Sequence, residues 1–133
     1  MGDAMTIGQL AKAAGVNVET IRYYQRRGLV AEPRKPAGGY RRYSAEAIAQ
    51  IAFVRRAQRL GFTLEEIGRL MRLAERRGWR ETLQIARRKH AVIEARIVEL
   101  DRIRHELAGL IAKAARRKGR EKCPLIAALA AGE

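Results

Sequence analysis

Thr6-Ile7-Gly8-Gln9-Leu10-Ala11-Lys12-Ala13-Ala14-Gly15-Val16-Asn17-Val18-Glu19-Thr20-Ile21-Arg22-Tyr23-Tyr24-Gln25-Arg26-Arg27-Gly28 is the stretch on which the fold of this chain turns. Thr6 followed three residues later by Gln9 is a capping box, in which each side chain answers the other residue's backbone amide. Ile7, Leu10, Ala11 and Ala14 then share one face of a short helix, and Gly15 supplies a sharp turn. Asn17 is a good N-cap for a second helix, expected from Val18 to about Arg27, with Gly28 closing it. Two short helices across a glycine turn make a helix-turn-helix arrangement, although any αα-hairpin satisfies the same pattern.

Residues 29–43 break that tie. Pro33, Pro36 and the pair Gly38-Gly39 exclude a helix interior, so the segment is expected to form two short strands around a turn. Its return limb, Gly39-Tyr40-Arg41-Arg42-Tyr43, interleaves basic and aromatic residues. Ser44 is expected to cap a third helix to about Leu60, with Ile48, Ile51, Ala52, Val54 and Ala57 on its apolar stripe. Gly61 ends it, and Thr63-Leu64-Glu65-Glu66 is a second capping box. It opens a fourth helix to about Arg76 that buries Ile67, Leu70, Met71 and Leu73.

After Gly78 and Trp79 a helix is expected from about Arg80 to Arg117. Leu83, Ala86, His90, Ile93, Ile97, Leu100, Leu107, Ile111 and Ala114 recur at alternating spacings of three and four, an a/d seam broken only by Arg104. At 1.5 Å per residue such a helix is ~57 Å long and overhangs a four-helix head. Its seam therefore needs a second chain, and a homodimer is expected. Gly119 is expected to end the helix, leaving a tail with Cys123-Pro124-Leu125-Ile126. The fold class is thus mainly α. Residues 1–76 form a winged helix-turn-helix head of four helices and a small β wing, residues 77–118 a hinge and dimerisation helix, and residues 119–133 a C-terminal tail.

Composition narrows the partners. The 133 residues carry a formal net charge of +14, which favours nucleic acid first and anionic membrane second. Residues 1–69 have a balance of +6 and residues 70–122 of +9, so charge alone does not locate the DNA-reading part. With one cysteine no intrachain disulfide forms, and with no apolar leader in residues 1–8 the expected location is cytoplasmic. Residues 124–131, the longest apolar stretch, fall far short of the ~20 residues a membrane span needs. No nucleophile–base pair, phosphate-binding glycine loop or metal cluster supports an enzyme.

The spaced motifs resemble the MerR family of regulators. Thr6–Ala11, Gly15–Tyr24, Gly28-Leu29, Tyr40–Tyr43 and Gln58–Ile67 follow one another in the family's order. Val16–Tyr23 and the tail Cys123-Pro124-Leu125-Ile126-Ala127 are closest to its mercury-sensing branch. The resemblance implies an antiparallel coiled-coil dimer whose two winged heads bind a dyad in a long promoter spacer. It also implies control of RNA polymerase by kinking and untwisting that DNA. The alternative class is an architectural protein that bends DNA without controlling transcription.

For the interface, the second helix should enter the major groove with Glu19, Thr20, Arg22 and Tyr23 leading. Arg22 would serve a guanine or a phosphate, while Glu19 also suits a first-turn carboxylate favoured by the helix dipole. Ile21 and Tyr24 should pack inward, with the family pattern leaving Tyr24 as a phosphate contact. Tyr40, Arg41, Arg42 and Tyr43 on the wing suit phosphate and sugar. Thr6 and Asn17 at the helix starts join the set, as do Arg26 and the clamp of Arg59 with the amides capped by Thr63. Leu83, His90, Ile93, Ile97, Leu100, Leu107 and Ile111 are the dimer set, and the charges elsewhere on the long helix are a solvated surface.

The effector end departs from the family. Its mercury-sensing members hold the ion with three cysteine thiolates, and the resemblance places those positions at Trp79, Ala114 and Cys123. Of these positions only Cys123 keeps a thiol, and its partner thiols are absent. The two copies of Cys123 in an antiparallel dimer would lie near opposite ends of a ~50 Å rod, and His90 is ~16 Å along the helix from Trp79. No cofactor is expected, and mercuric ion is disfavoured as effector. The alternatives are a regulator without a metal in which Trp79 fills the pocket, a response to an apolar molecule held against Trp79, and a thiol sensor at Cys123 beside Arg120 and Lys122. The plainest role for Cys123 is a small buried anchor for the tail, with Leu125, Ile126 and Leu129 packed on the long helix.

Overall fold

The computed structural model describes residues 4–116 and 123–132. Its elements are α1 (Ile7–Ala14), α2 (Val18–Arg26), α3 (Ala45–Arg59), α4 (Leu64–Glu75), α5 (Trp79–Arg116) and α6 (Pro124–Ala130). The chain divides into two compact units, residues 1–89 and 90–133.

In the first unit local chemistry sets the helix starts. Thr6 accepts the Gln9 amide while the Gln9 side chain accepts the Thr6 N–H, and Thr63 and Glu66 repeat the exchange at α4. Asn17 and Ser44 also occupy the N-cap positions of α2 and α3, but neither side chain bonds a helix amide. At Gly15 the backbone turns left-handed (φ 71°), which brings the Val16 N–H to the Ala11 carbonyl at 3.0 Å. This C-terminal bond is the Schellman arrangement, and a side chain at that φ would be strained.

The core lies where these helices meet. Leu10, Ile21, Ile51, Val54 and Ile67 are sealed from solvent, and Tyr24, Leu29, Val30, Tyr43 and Ala47 surround them. Each fully buried aliphatic side chain contributes about 1.5–3 kcal/mol relative to exposure. α1 packs on α2 and α3, and α3 on α4. Leu73 and Ile85 are also buried, so the first turns of α5 belong to this unit. Leu70 and Met71, expected inside, are half-buried.

The wing differs from expectation. Residues 31–42 form no strand; the one bridge is antiparallel between Met5 and Tyr43, closed by N–H···O bonds of 2.8 and 2.7 Å. Pro33 and Pro36 lack the amide a ladder needs. The two limbs are tied instead by a side chain, Arg41 Nε donating to the Pro33 carbonyl at 3.0 Å.

In the second unit, residues 90–116 continue α5, and every one of them is exposed except the half-buried Leu110 and Ala114. The tail was expected as a packed strap; it forms α6, with Pro124 at its first position, where a missing N–H costs nothing. Cys123, Ile126 and Leu129 are exposed in the single chain, which corrects the expectation of a buried anchor. Gly119, Arg120 and Lys122 lie outside the described residues. Among the described residues, no helix is long and apolar enough to cross a membrane.

Candidate nucleic-acid interface

α2 is amphipathic, and its two faces have different work. Ile21 and Tyr24 point into the core, while Glu19, Arg22, Tyr23 and Arg26 are exposed and Thr20 is half-buried. The exposed face is ordered by local contacts. Arg22 is 2.8 Å from the Glu19 carboxylate, one turn earlier, and the Arg26 guanidinium lies 5.8 Å from the centre of the Tyr23 ring.

Two consecutive residues fix how α2 sits. The Tyr24 hydroxyl donates to Gln58 Oε1 of α3 at 2.8 Å, and Gln25 Nε2 donates to the Tyr43 hydroxyl at 2.7 Å. Burial raises the Tyr24 pKa, against the opposing pull of the Arg55 charge, so the phenol stays a donor. Arg55 itself donates to the Gly15 carbonyl at 3.2 Å, bracing the turn between α1 and α2. Tyr43, expected on the wing surface, is buried instead, because its backbone pairs with Met5 and its hydroxyl receives Gln25. The bonds made by Gln25, Arg55 and Gln58 carried no signal in the sequence, since each acts through a partner on another element.

Between the start of α1, the flank of α2 and residues 32–43 lies a basin of about 330 Å³. Arg22, Arg26, Lys35 and Arg41 line it together with Tyr40, Thr6 and one carboxylate, Glu32. Its rim is therefore strongly cationic, with an aromatic ring beside the charges, a composition suited to a sugar–phosphate backbone. Arg42 is exposed outside the basin, and Tyr40 is 79% exposed. Arg59 at the end of α3 and Thr63 at the start of α4 are exposed, and the capping box already occupies the amides of Thr63 and Glu66. Asn17 is exposed at the head of α2.

The seam residues Leu83, Ile93, Ile97, Leu100, Leu107 and Ile111 are all exposed large apolar side chains. His90 is also exposed, 3.7 Å from the Glu94 carboxylate, and Arg104 pairs with Asp101. Trp79, 77% exposed, opens α5 beside a mostly apolar groove of about 430 Å³ lined also by Leu73, Ala74, Arg77, Gly78, Thr82 and Leu83. Ala114 is half-buried and Cys123 exposed. Among the described residues no group of three or more His, Cys, Asp or Glu could hold a metal ion.

A short two-helix reading unit, a basic loop beside it and a long apolar-striped helix define a winged helix-turn-helix regulator. Residues 5–74 match the model of the MerR HTH family regulatory proteins, and residues 48–110 match that of the MerR DNA-binding region. The chain belongs to the MerR family of transcriptional regulators. It is 45% identical over 128 residues to the mercuric resistance operon regulatory protein of Pseudomonas fluorescens, covering 96% of this chain and 89% of that one. Its structure is similar to that of MerR from Bacillus megaterium MB1 in complex with mercury(II), at a TM-score of 0.72 and 35% identity over 95% of this chain and 99% of the other. It is also similar to PbrR691 from Ralstonia metallidurans CH34 in complex with lead(II), at a TM-score of 0.83 and 29% identity over 94% and 98%.

Proposed function

We propose that this regulator acts as a homodimer on a promoter dyad, with α2 at base edges in the major groove and the basic basin on the flanking backbone. The carrying observation is that Arg22, Tyr23 and Arg26 stand exposed on the side of α2 away from buried Ile21 and Tyr24, beside a basin rimmed by further cations. The apolar seam of α5, interrupted at Arg104, supplies the dimer, and distortion of the DNA between the two heads is the means of signalling to RNA polymerase. Base contacts and phosphate contacts have separable signatures. Arg22→Ala is expected to relax or abolish sequence preference, whereas Arg42→Ala weakens all duplexes alike and lowers the salt slope by about 1. Equal, sequence-blind losses from both variants would refute this division.

The effector differs from that of the mercury-binding relatives. An indole at Trp79 and a methyl at Ala114 offer no thiolate, so the donor set for a soft metal is not present at those positions. The apolar groove beside Trp79 instead favours a small apolar effector, while the exposed Cys123 thiol supports a redox response. Titrating mercuric ion against the purified protein decides the point. Weak binding without promoter activation is expected; one tightly held ion per dimer with activation overturns this assignment.

A further inference from the structure

Arg41 is engaged at both ends of its guanidinium. Its Nε donates to the Pro33 carbonyl at 3.0 Å, and its Nη2 meets the Glu32 carboxylate at 2.9 Å. The Pro33 bond uses Nε and leaves the outer donors of the guanidinium for other acceptors. Glu32 nevertheless occupies the arginine's outer donor, and it is the one carboxylate among the residues lining the cationic basin. A guanidinium fork donates to carboxylate and phosphate oxygens in the same geometry. The two side chains are 42% and 52% exposed, so their pair is the weak, solvent-screened kind that a polyanion can displace.

We propose that Glu32 is an internal competitor for the DNA backbone: it holds Arg41 where a phosphate would sit and releases it when the duplex binds. The proposal rests on the DNA-binding role of the basin. Its consequence is graded affinity. A chain with a net charge of +14 adheres to any polyanion, and a built-in anion at the mouth of the basin makes each backbone engagement cost an ion pair.

Phosphate contacts are blind to sequence, so the test uses a random-sequence DNA duplex, titrated with the full-length protein across a salt series. Glu32→Gln is expected to tighten binding about threefold to fivefold, the range of an exposed pair, with the salt slope unchanged. Arg41→Ala is expected to weaken binding and flatten the slope by about 0.9. In the Arg41→Ala background most of the gain from Glu32→Gln disappears, whereas in an Arg26→Ala background it persists. Binding by Glu32→Gln that is unchanged or weaker overturns the proposal and makes the carboxylate a brace for the loop. An equal gain with and without Arg41 also overturns it, since the effect is then through-space repulsion alone. A wild-type protein that shows no salt-dependent binding defeats the DNA-binding role itself, an outcome distinct from either of these.

Discussion

Residues 4–89 and residues 90–132 are built on opposite principles. All the buried side chains, from Leu10 to Ile85, belong to the first set, which closes a core from four helices and a loop. The second set is helical too, yet among its described residues none is buried, and Ile97, Leu100, Ile103, Leu107 and Ile111 are each about half exposed. Helix propensity alone leaves isolated helices marginal; most helical stability comes from packing an apolar face. The first unit packs its own faces. The second carries an apolar stripe that stays exposed among the described residues, the face a second copy would cover in the proposed dimer.

The largest effect expected from this contrast comes from charging the seam. Ile97→Asp in both chains of a dimer sets two carboxylates in an apolar interface, where unpaired charge is strongly unfavourable. Sedimentation should show monomers. Binding to a two-half-site duplex should fall about a hundredfold or more, because avidity is lost with the link between the heads. Near-ultraviolet circular dichroism from buried Tyr24 and Tyr43 should persist. A head that loses its tertiary signal together with the dimer breaks the comparison, since the first unit would not then stand on its own core.

Next in size is a change confined to the head. Ile51 is sealed on all sides, and Ile51→Ala is expected to cost about 2–5 kcal/mol. That is a large part of the ~5–15 kcal/mol of a typical domain. Urea unfolding followed at the same tyrosines should move to lower denaturant by an amount independent of protein concentration, while the association constant of the dimer is unchanged. A shift that grows on dilution contradicts the separation of the two units.

How much of this was legible beforehand follows the range of the interactions. The boxes at Thr6 and Thr63 and the turns at Gly15 and Gly28 were readable because their partners lie within a few residues. The seam was readable because its period is local. The wing was not. Whether residues 31–43 pair with each other or elsewhere depends on distant partners, and Tyr43 pairs with Met5 while Arg41 replaces the missing ladder with a side-chain tie. Ile85 falls off the a/d pattern, so the seam periodicity gives no sign that it is buried. At the interface, the exposed face of α2 followed from its amphipathic pattern. The Tyr24–Gln58 and Gln25–Tyr43 bonds and the Glu32–Arg41 pair join residues with no periodic relation, so no spacing rule reveals them. The α6 helix did have a local signal, a first-position proline before Leu125-Ile126-Ala127-Ala128-Leu129, whose length is too short for periodicity to be decisive.

The smallest predicted effect sharpens where the first unit ends. Lys89 is its last residue, and its ammonium lies 2.9 Å from Glu66 Oε1, with the Phe62 ring centre 5.9 Å away. The same carboxylate oxygen accepts the Thr63 N–H at 2.8 Å, so one group both caps α4 and binds α5. The Thr63 amide first, and then Lys89, hold the Glu66 carboxyl below the ordinary carboxylate range, with burial opposing them. A group whose pKa is lower folded than unfolded stabilises the fold at pH above its unfolded value. That contribution is lost as pH falls through the folded value, when the native carboxylate finally takes up its proton. Glu66→Gln can still accept from Thr63 but cannot titrate. At neutral pH it should cost up to about 1 kcal/mol, the scale of a partly exposed pair. As pH falls from the ordinary carboxylate range toward the folded pKa, the difference from wild type should shrink, because the wild-type carboxylate loses its own charge there. Urea midpoints of the two proteins measured through that window therefore converge. Parallel curves would show that Lys89 adds nothing to the head through Glu66.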